Sequence, residues 1–133
     1  MHTQNNLGTF RILFLVKGIL TLLASLLFLG YAFIGYFIND FSEFSENSEN
    51  IPFNPSIIFA IIGGIGFVIT IAFGILTLYA SKYLKELKNY NFIFVVAILN
   101  CLTGILGILL GVFTLIEINK PEVKELFQKN KLL

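Results

Sequence analysis

Tryptophan is missing from this chain of 133 residues, cysteine and histidine occur once each, and proline three times. A single Cys101 excludes an intramolecular disulfide and a CxxC redox pair. The only histidine, His2, lies in the N-terminal segment, so a bis-histidine haem inside a helical bundle is excluded. Charge is also scarce. Only 13% of residues are charged against 56% hydrophobic, too little polar surface to cover a soluble core of this size. A net charge of +1 gives no electrostatic footprint for nucleic acid. The missing tryptophan, set beside abundant Ile, Phe, Asn and Lys, is the composition of an AT-rich bacterial genome.

What is missing from the apolar stretches matters equally. They contain no histidine or aspartate and no serine–lysine pair at matching depth, so a membrane hydrolase lacks both its nucleophile–base pair and its metal ligands. No acidic residue stands near the middle of an apolar run, where a proton-coupled exporter needs one. Threonine and serine alone are a poor lining for a polar pore. An enzyme is therefore the least expected class, and the sequence points to no catalytic residue, no cofactor and no metal.

What is present is long apolar sequence. Runs of about 18 or more uncharged apolar residues are long enough to cross a bilayer. The expected fold is an all-α integral membrane bundle: two long spans, a C-terminal helical hairpin and a short interfacial C-terminal helix. The spans are placed at about 10–38, 56–79, 92–103 and 105–118. An acidic external loop occupies 39–55, a basic cytoplasmic loop 80–91 and an amphipathic cytoplasmic tail 119–133. The first apolar stretch is too long for the core of a signal peptide and is read as a retained span.

The segment FIFVVAILNCLTGILGILLGVFTLIEI (92–118) has two readings. As one helix it is about 40 Å long and must tilt in a core of about 30 Å. Folded back at Thr103-Gly104, each arm is only about 18–21 Å. Charge favours folding back. Basic residues concentrate on the cytoplasmic side, most strictly in short loops. Arg11 and Lys17 set the N-terminal end inside, and the loop with Asp40, Glu43, Glu46 and Glu49 has no Lys or Arg. Lys82, Lys85 and Lys88 return the chain to the inside, and a hairpin keeps Lys120, Lys124, Lys129 and Lys131 there too. A turn at membrane depth has to satisfy its own backbone, and Asn100, Thr103 and Gly104 are the residues suited to that. Beyond it, Asn119 is expected to cap a tail helix, with Pro121 in its first turn and Glu122 three residues after the cap. Val123, Leu126 and Phe127 would form a face lying on the membrane surface.

AILNCLTGILGILLGVFTL followed by NKPEVKELF resembles the C-terminal signature of a widespread, uncharacterised group of small bacterial four-pass membrane proteins. The matching residues are Leu99, Asn100, Gly107, Leu110, Gly111, Phe113, Thr114, Leu115, Pro121, Glu122, Val123, Lys124 and Phe127. The group usually has proline near the turn, where this chain has Ile105. Its Trp-Ala-Arg element before the third span is replaced here by Tyr83, Lys85, Lys88 and Tyr90. The resemblance implies a four-pass topology and no activity.

Two ionisable residues stand in apolar sequence, Lys17 and Glu117. Lys17 can snorkel to the interface along its stem, pair within the membrane, or touch a substrate. In a hairpin topology it shares a side with Glu117, which makes the two a candidate intramembrane charge pair. Small residues recur at helix spacing and would let backbones approach. They are Gly18, Thr21, Ser25, Ala32 and Gly35 in the first span, Gly66, Thr70, Gly74 and Thr77 in the second, then Gly104, Gly107 and Gly111. The acidic loop lacks the pattern of a preformed calcium site. The expected protein is a non-catalytic accessory subunit or scaffold of a bacterial inner-membrane complex, with both termini cytoplasmic. Its partners would be the bilayer and another membrane protein or itself. The alternative is a small homo-oligomeric transporter or pore lined by Lys17 and Glu117.

Overall fold

The computed structural model describes residues 6–43 and 55–132, with side chains up to residue 40 in the first segment. Glu46, Glu49, Phe44 and Phe53 of the expected acidic loop lie outside the described residues. Among those described there are five helices and no strand. They are α1 (Leu7–Glu43), α2 (Pro55–Glu86), α3 (Tyr90–Cys101), α4 (Ile105–Ile118) and α5 (Pro121–Lys131).

α1 and α2 are each long and apolar enough to cross a membrane, and only 17% and 11% of their most apolar windows are buried. Both run past the expected ends. Nothing between Ile38 and Glu43 breaks a helix, so α1 continues through Asn39 and Asp40. Pro55 opens α2, where its missing N–H costs nothing, and the helix formers of ASKYLKE carry it on to Glu86. There Leu87 turns left-handed at φ 51°, and the Lys88 N–H reaches back to the Tyr83 carbonyl at 3.1 Å. This is a Schellman stop built on leucine instead of glycine. The left-handed backbone costs about 1–2 kcal/mol, and packing of the partly buried Leu87 side chain against the core opposes that cost. Asn89, also at φ 51°, then starts α3.

The 92–118 segment is two helices, not one. Gly104 sits at φ 98°, ψ −179°, a conformation open essentially to glycine alone. A Cβ on Gly104 would meet open space, so it serves the turn and not the helix packing expected of it.

The chain divides into two compact parts, residues 1–19 with 74–133, and residues 20–73. In the first, α1 and α2 run antiparallel: the Ser81 hydroxyl donates to the Arg11 carbonyl at 2.9 Å, and Gly18 lies against the Leu78 side chain. The fully buried Phe14 forms a core with Ala80 and Leu84 of α2, Ile93 and Ala97 of α3, and Ile118 of α4. α5 joins that core. Val123 and Phe127 are buried in it, and the Phe127 ring stands edge-on to Tyr90 at 5.7 Å. The α5 face expected on the membrane surface is therefore turned inward against protein. Nor does Asn119 cap α5. It ends α4, its side-chain N–H donating to the Leu115 carbonyl at 2.7 Å, while Lys120 in extended conformation precedes α5.

In the second part, small residues bring α1 and α2 together. Gly35 faces the backbone of Ser56 and Ala60, Gly63 faces the backbone of Ala32 and Phe28, and Gly66 faces the Phe28 ring. Tyr31 stacks on Phe59 at 6.4 Å, and the Ser56 hydroxyl donates to Asn39 Oδ1 at 3.3 Å.

Candidate functional site

The last carbonyls of α3 have no partner within the helix and carry the negative end of its dipole. Two of them are answered at the turn, the Leu99 carbonyl by the Leu102 N–H at 3.1 Å and the Asn100 carbonyl by Thr103. The Thr103 N–H and hydroxyl both donate to the Asn100 carbonyl, at 3.0 and 2.7 Å. The buried Asn100 side chain donates back to the Val96 carbonyl at 2.8 Å. Lys17 completes the set, its ammonium donating to Thr103 Oγ1 at 2.7 Å. A half-buried lysine of α1 thus places its positive charge at the end of α3, where a helix favours one.

α4 must come close to close this turn, which explains two glycines. A Cβ on Gly107 would run into the Asn100 carbonyl and the Thr103 hydroxyl, and would lie 2.6 Å from Lys17 Nζ. A Cβ on Gly111 would meet the Ala97 carbonyl and Cys101 Sγ. Thr114, fully buried, returns its hydroxyl to the Leu110 carbonyl of its own helix at 2.6 Å.

Glu117 has the complementary position. It is buried, at 4% exposure. One oxygen pairs with Lys120 at 2.7 Å, and the other accepts the Asn6 N–H at 3.1 Å. Asn6 is the residue whose carbonyl accepts the first bond of α1, from Phe10. A carboxylate from α4 therefore caps the positive end of α1. The expected pair of Lys17 with Glu117 is not formed. α4 runs antiparallel to the start of α1, so Glu117 stands level with Asn6 and Lys17 level with Thr103. Eleven residues of helix separate those levels, about 16 Å. Each charge instead neutralises the end of another helix.

The remaining candidate residues lie in helix contacts or bond to their own helices. Gly18 contacts Leu78, and Gly74 is buried. Ser25 and Thr70 donate to the Leu22 and Gly66 carbonyls of their own helices, both at 2.6 Å. Sequence reasoning missed Gly63, Asn6 and Lys120. The signal for Lys120 was there, since it follows Glu117 by three residues, a spacing at which helical side chains meet. Among the described residues no three His, Cys, Asp or Glu side chains gather as a metal site requires.

These features define an all-helical chain with two helices capable of crossing a membrane and a short hairpin that receives the charge of Lys17 at its turn and lends that of Glu117 to the start of α1. No family model, curated protein or solved structure matches the chain.

Proposed function

We propose that this is a non-catalytic integral membrane protein of the bacterial inner membrane, acting as an accessory subunit or scaffold of a membrane complex. α1 and α2 cross the bilayer. α3 and α4, of 12 and 14 residues, extend about 18 and 21 Å and fall short of a core of about 30 Å. They form a re-entrant hairpin, entering and leaving on the cytoplasmic side with all nine basic residues and both termini there.

The observation that carries this reading is the hairpin tip. Leu102, Ile105 and Leu106 are 78%, 79% and 75% exposed. A turn meeting water carries polar residues; this one carries three large aliphatic ones around a polar backbone. Irregular backbone at membrane depth persists only where protein covers it. The tip therefore needs a protein neighbour within the bilayer, which an accessory subunit would have. The charge arrangement supports the same reading, because Lys17 and Glu117 serve the ends of helices.

A photo-crosslinking residue at Ile105, followed by purification in mild detergent, tests this. One defined membrane protein captured in stoichiometric amount is the expected result. Adducts to soluble proteins would overturn the reading. A homo-oligomer with reconstituted flux that disappears in Lys17→Met would establish a transporter or pore instead.

A further inference from the structure

A second feature lies away from the hairpin tip. The α2–α3 loop and the side of α5 that carries Lys124, Phe127, Gln128 and Lys131 border an open cleft of about 800 Å³. Lys88, Lys124 and Lys131 line it, and among the described residues no acidic side chain does. Asn89, Asn91 and Gln128 add neutral hydrogen-bonding groups. Hydrogen bonds tie the elements around it together. The Asn130 side chain donates to the Glu86 carbonyl at 3.0 Å, tying the end of α5 to the end of α2. Tyr90 stands on the other side, its hydroxyl donating to Asn119 Oδ1 at 2.9 Å and its ring edge-on to Phe127. Lys124 Nζ lies 6.0 Å from the centre of the Tyr90 ring. Apolar side chains, Leu87, Phe92 and Phe127, share the lining with the lysines.

Three lysines lining one cleft, with no carboxylate among its described lining residues, suit an anionic ligand such as a phosphate. The apolar share of the lining and its position select the source. The cleft opens where α2 ends and α3 begins, the level at which the proposed membrane reading puts the cytoplasmic interface. Lysines there experience the negative potential of anionic lipids. We infer that the cleft between the α2–α3 loop and α5 holds the phosphate headgroup of an anionic phospholipid. This inference rests on the membrane reading. Lys88 from the loop and Lys124 and Lys131 from α5 would supply the charge, and Leu87, Phe92 and Phe127 the apolar contacts for the acyl chains.

The test uses full-length protein purified in neutral detergent, titrated with phosphatidylglycerol, phosphatidylcholine or inorganic phosphate, with thermal unfolding as readout. Phosphatidylglycerol alone should raise the midpoint. The triple variant K88Q/K124Q/K131Q should bind it more weakly, by about fivefold per lysine and on the order of a hundredfold together. A control with the same charge loss outside the cleft, K82Q/K85Q/K129Q, should bind as the parent does. Equal weakening in both variants would show a diffuse charge effect and overturn the site. A shift with inorganic phosphate as large as with phosphatidylglycerol would overturn the lipid assignment, and no shift with any of the three would overturn the proposal outright. Extraction of bacterial membranes at alkaline pH separates the two readings. Protein that resists extraction but shows no phosphatidylglycerol preference refutes the cleft alone, whereas protein that extracts refutes the membrane reading beneath it.

Discussion

Replacing Gly107 by alanine adds one methyl group, and the structure says it cannot be accommodated. The new Cβ would overlap the Asn100 carbonyl, which is backbone held by two bonds from Thr103 and unable to step aside. It would also displace the Lys17 ammonium from Thr103. α4 would have to move away from α3, and overpacking of this kind costs about 1–3 kcal/mol. Two controls bracket the effect. Gly64 lies in α2 with open space where its Cβ would be, so Gly64→Ala should be neutral or stabilising by up to about 1 kcal/mol from helix propensity. Gly104→Ala also meets open space, but its backbone at φ 98° should cost about 1–3 kcal/mol through strain. Unfolding of the full-length proteins in mild detergent measures all three. The expected order is Gly64→Ala at least as stable as the parent, with Gly107→Ala and Gly104→Ala clearly below it. Were 92–118 one continuous helix, alanine at 104 and 107 would strengthen it. Stabilisation by both would refute the hairpin.

Three further outcomes follow from the same contacts. Lys17→Met and Thr103→Val should each destabilise by about 1–3 kcal/mol, and the double variant by much less than their sum, because both remove one shared bond; full additivity in a double-mutant cycle would deny the coupling. In a Cys101→Ser background, a short bifunctional thiol reagent should bridge cysteines replacing Lys17 and Thr103, whose native side chains meet, and should not bridge those replacing Lys17 and Glu117; the reverse pattern would restore the charge pair that the structure lacks. Phe127→Ala should cost about 3–5 kcal/mol and expose α5 to proteolysis while leaving the membrane association of α1 and α2 intact; a fully stable variant would mean that α5 does not belong to the core.

The two long helices are plain in the sequence because uninterrupted apolar runs leave little choice, and the break at Thr103-Gly104 is legible as the place where a fold-back would keep the expected basic segments together. Helix ends were less legible. Asn119 is a good cap by type, yet its side chain is better used returning to the Leu115 carbonyl, and Lys120 takes the extended position before Pro121. The apolar face of α5 reads equally well as facing lipid or protein; only the Tyr90 ring and the core around Phe127 decide between them. For Lys17 and Glu117 the count of basic residues leads to an expected shared side of the membrane, but it holds no information on their level along the helices. That level depends on α4 running back beside α1, which brings Glu117 to Asn6 and leaves Lys17 at the turn. Gly63 escaped notice because the stripe through Gly66 and Thr70 looked complete without it, although Gly63 faces the backbone of Ala32 directly.

The measurement closest to the central claim is the sidedness of the two segments flanking the hairpin. In the Cys101→Ser background, single cysteines at Lys82 and Lys129 are labelled with a membrane-impermeant maleimide in right-side-out and inside-out vesicles. A re-entrant α3–α4 predicts that both react only in inside-out vesicles. Labelling of the two positions from opposite compartments would contradict it.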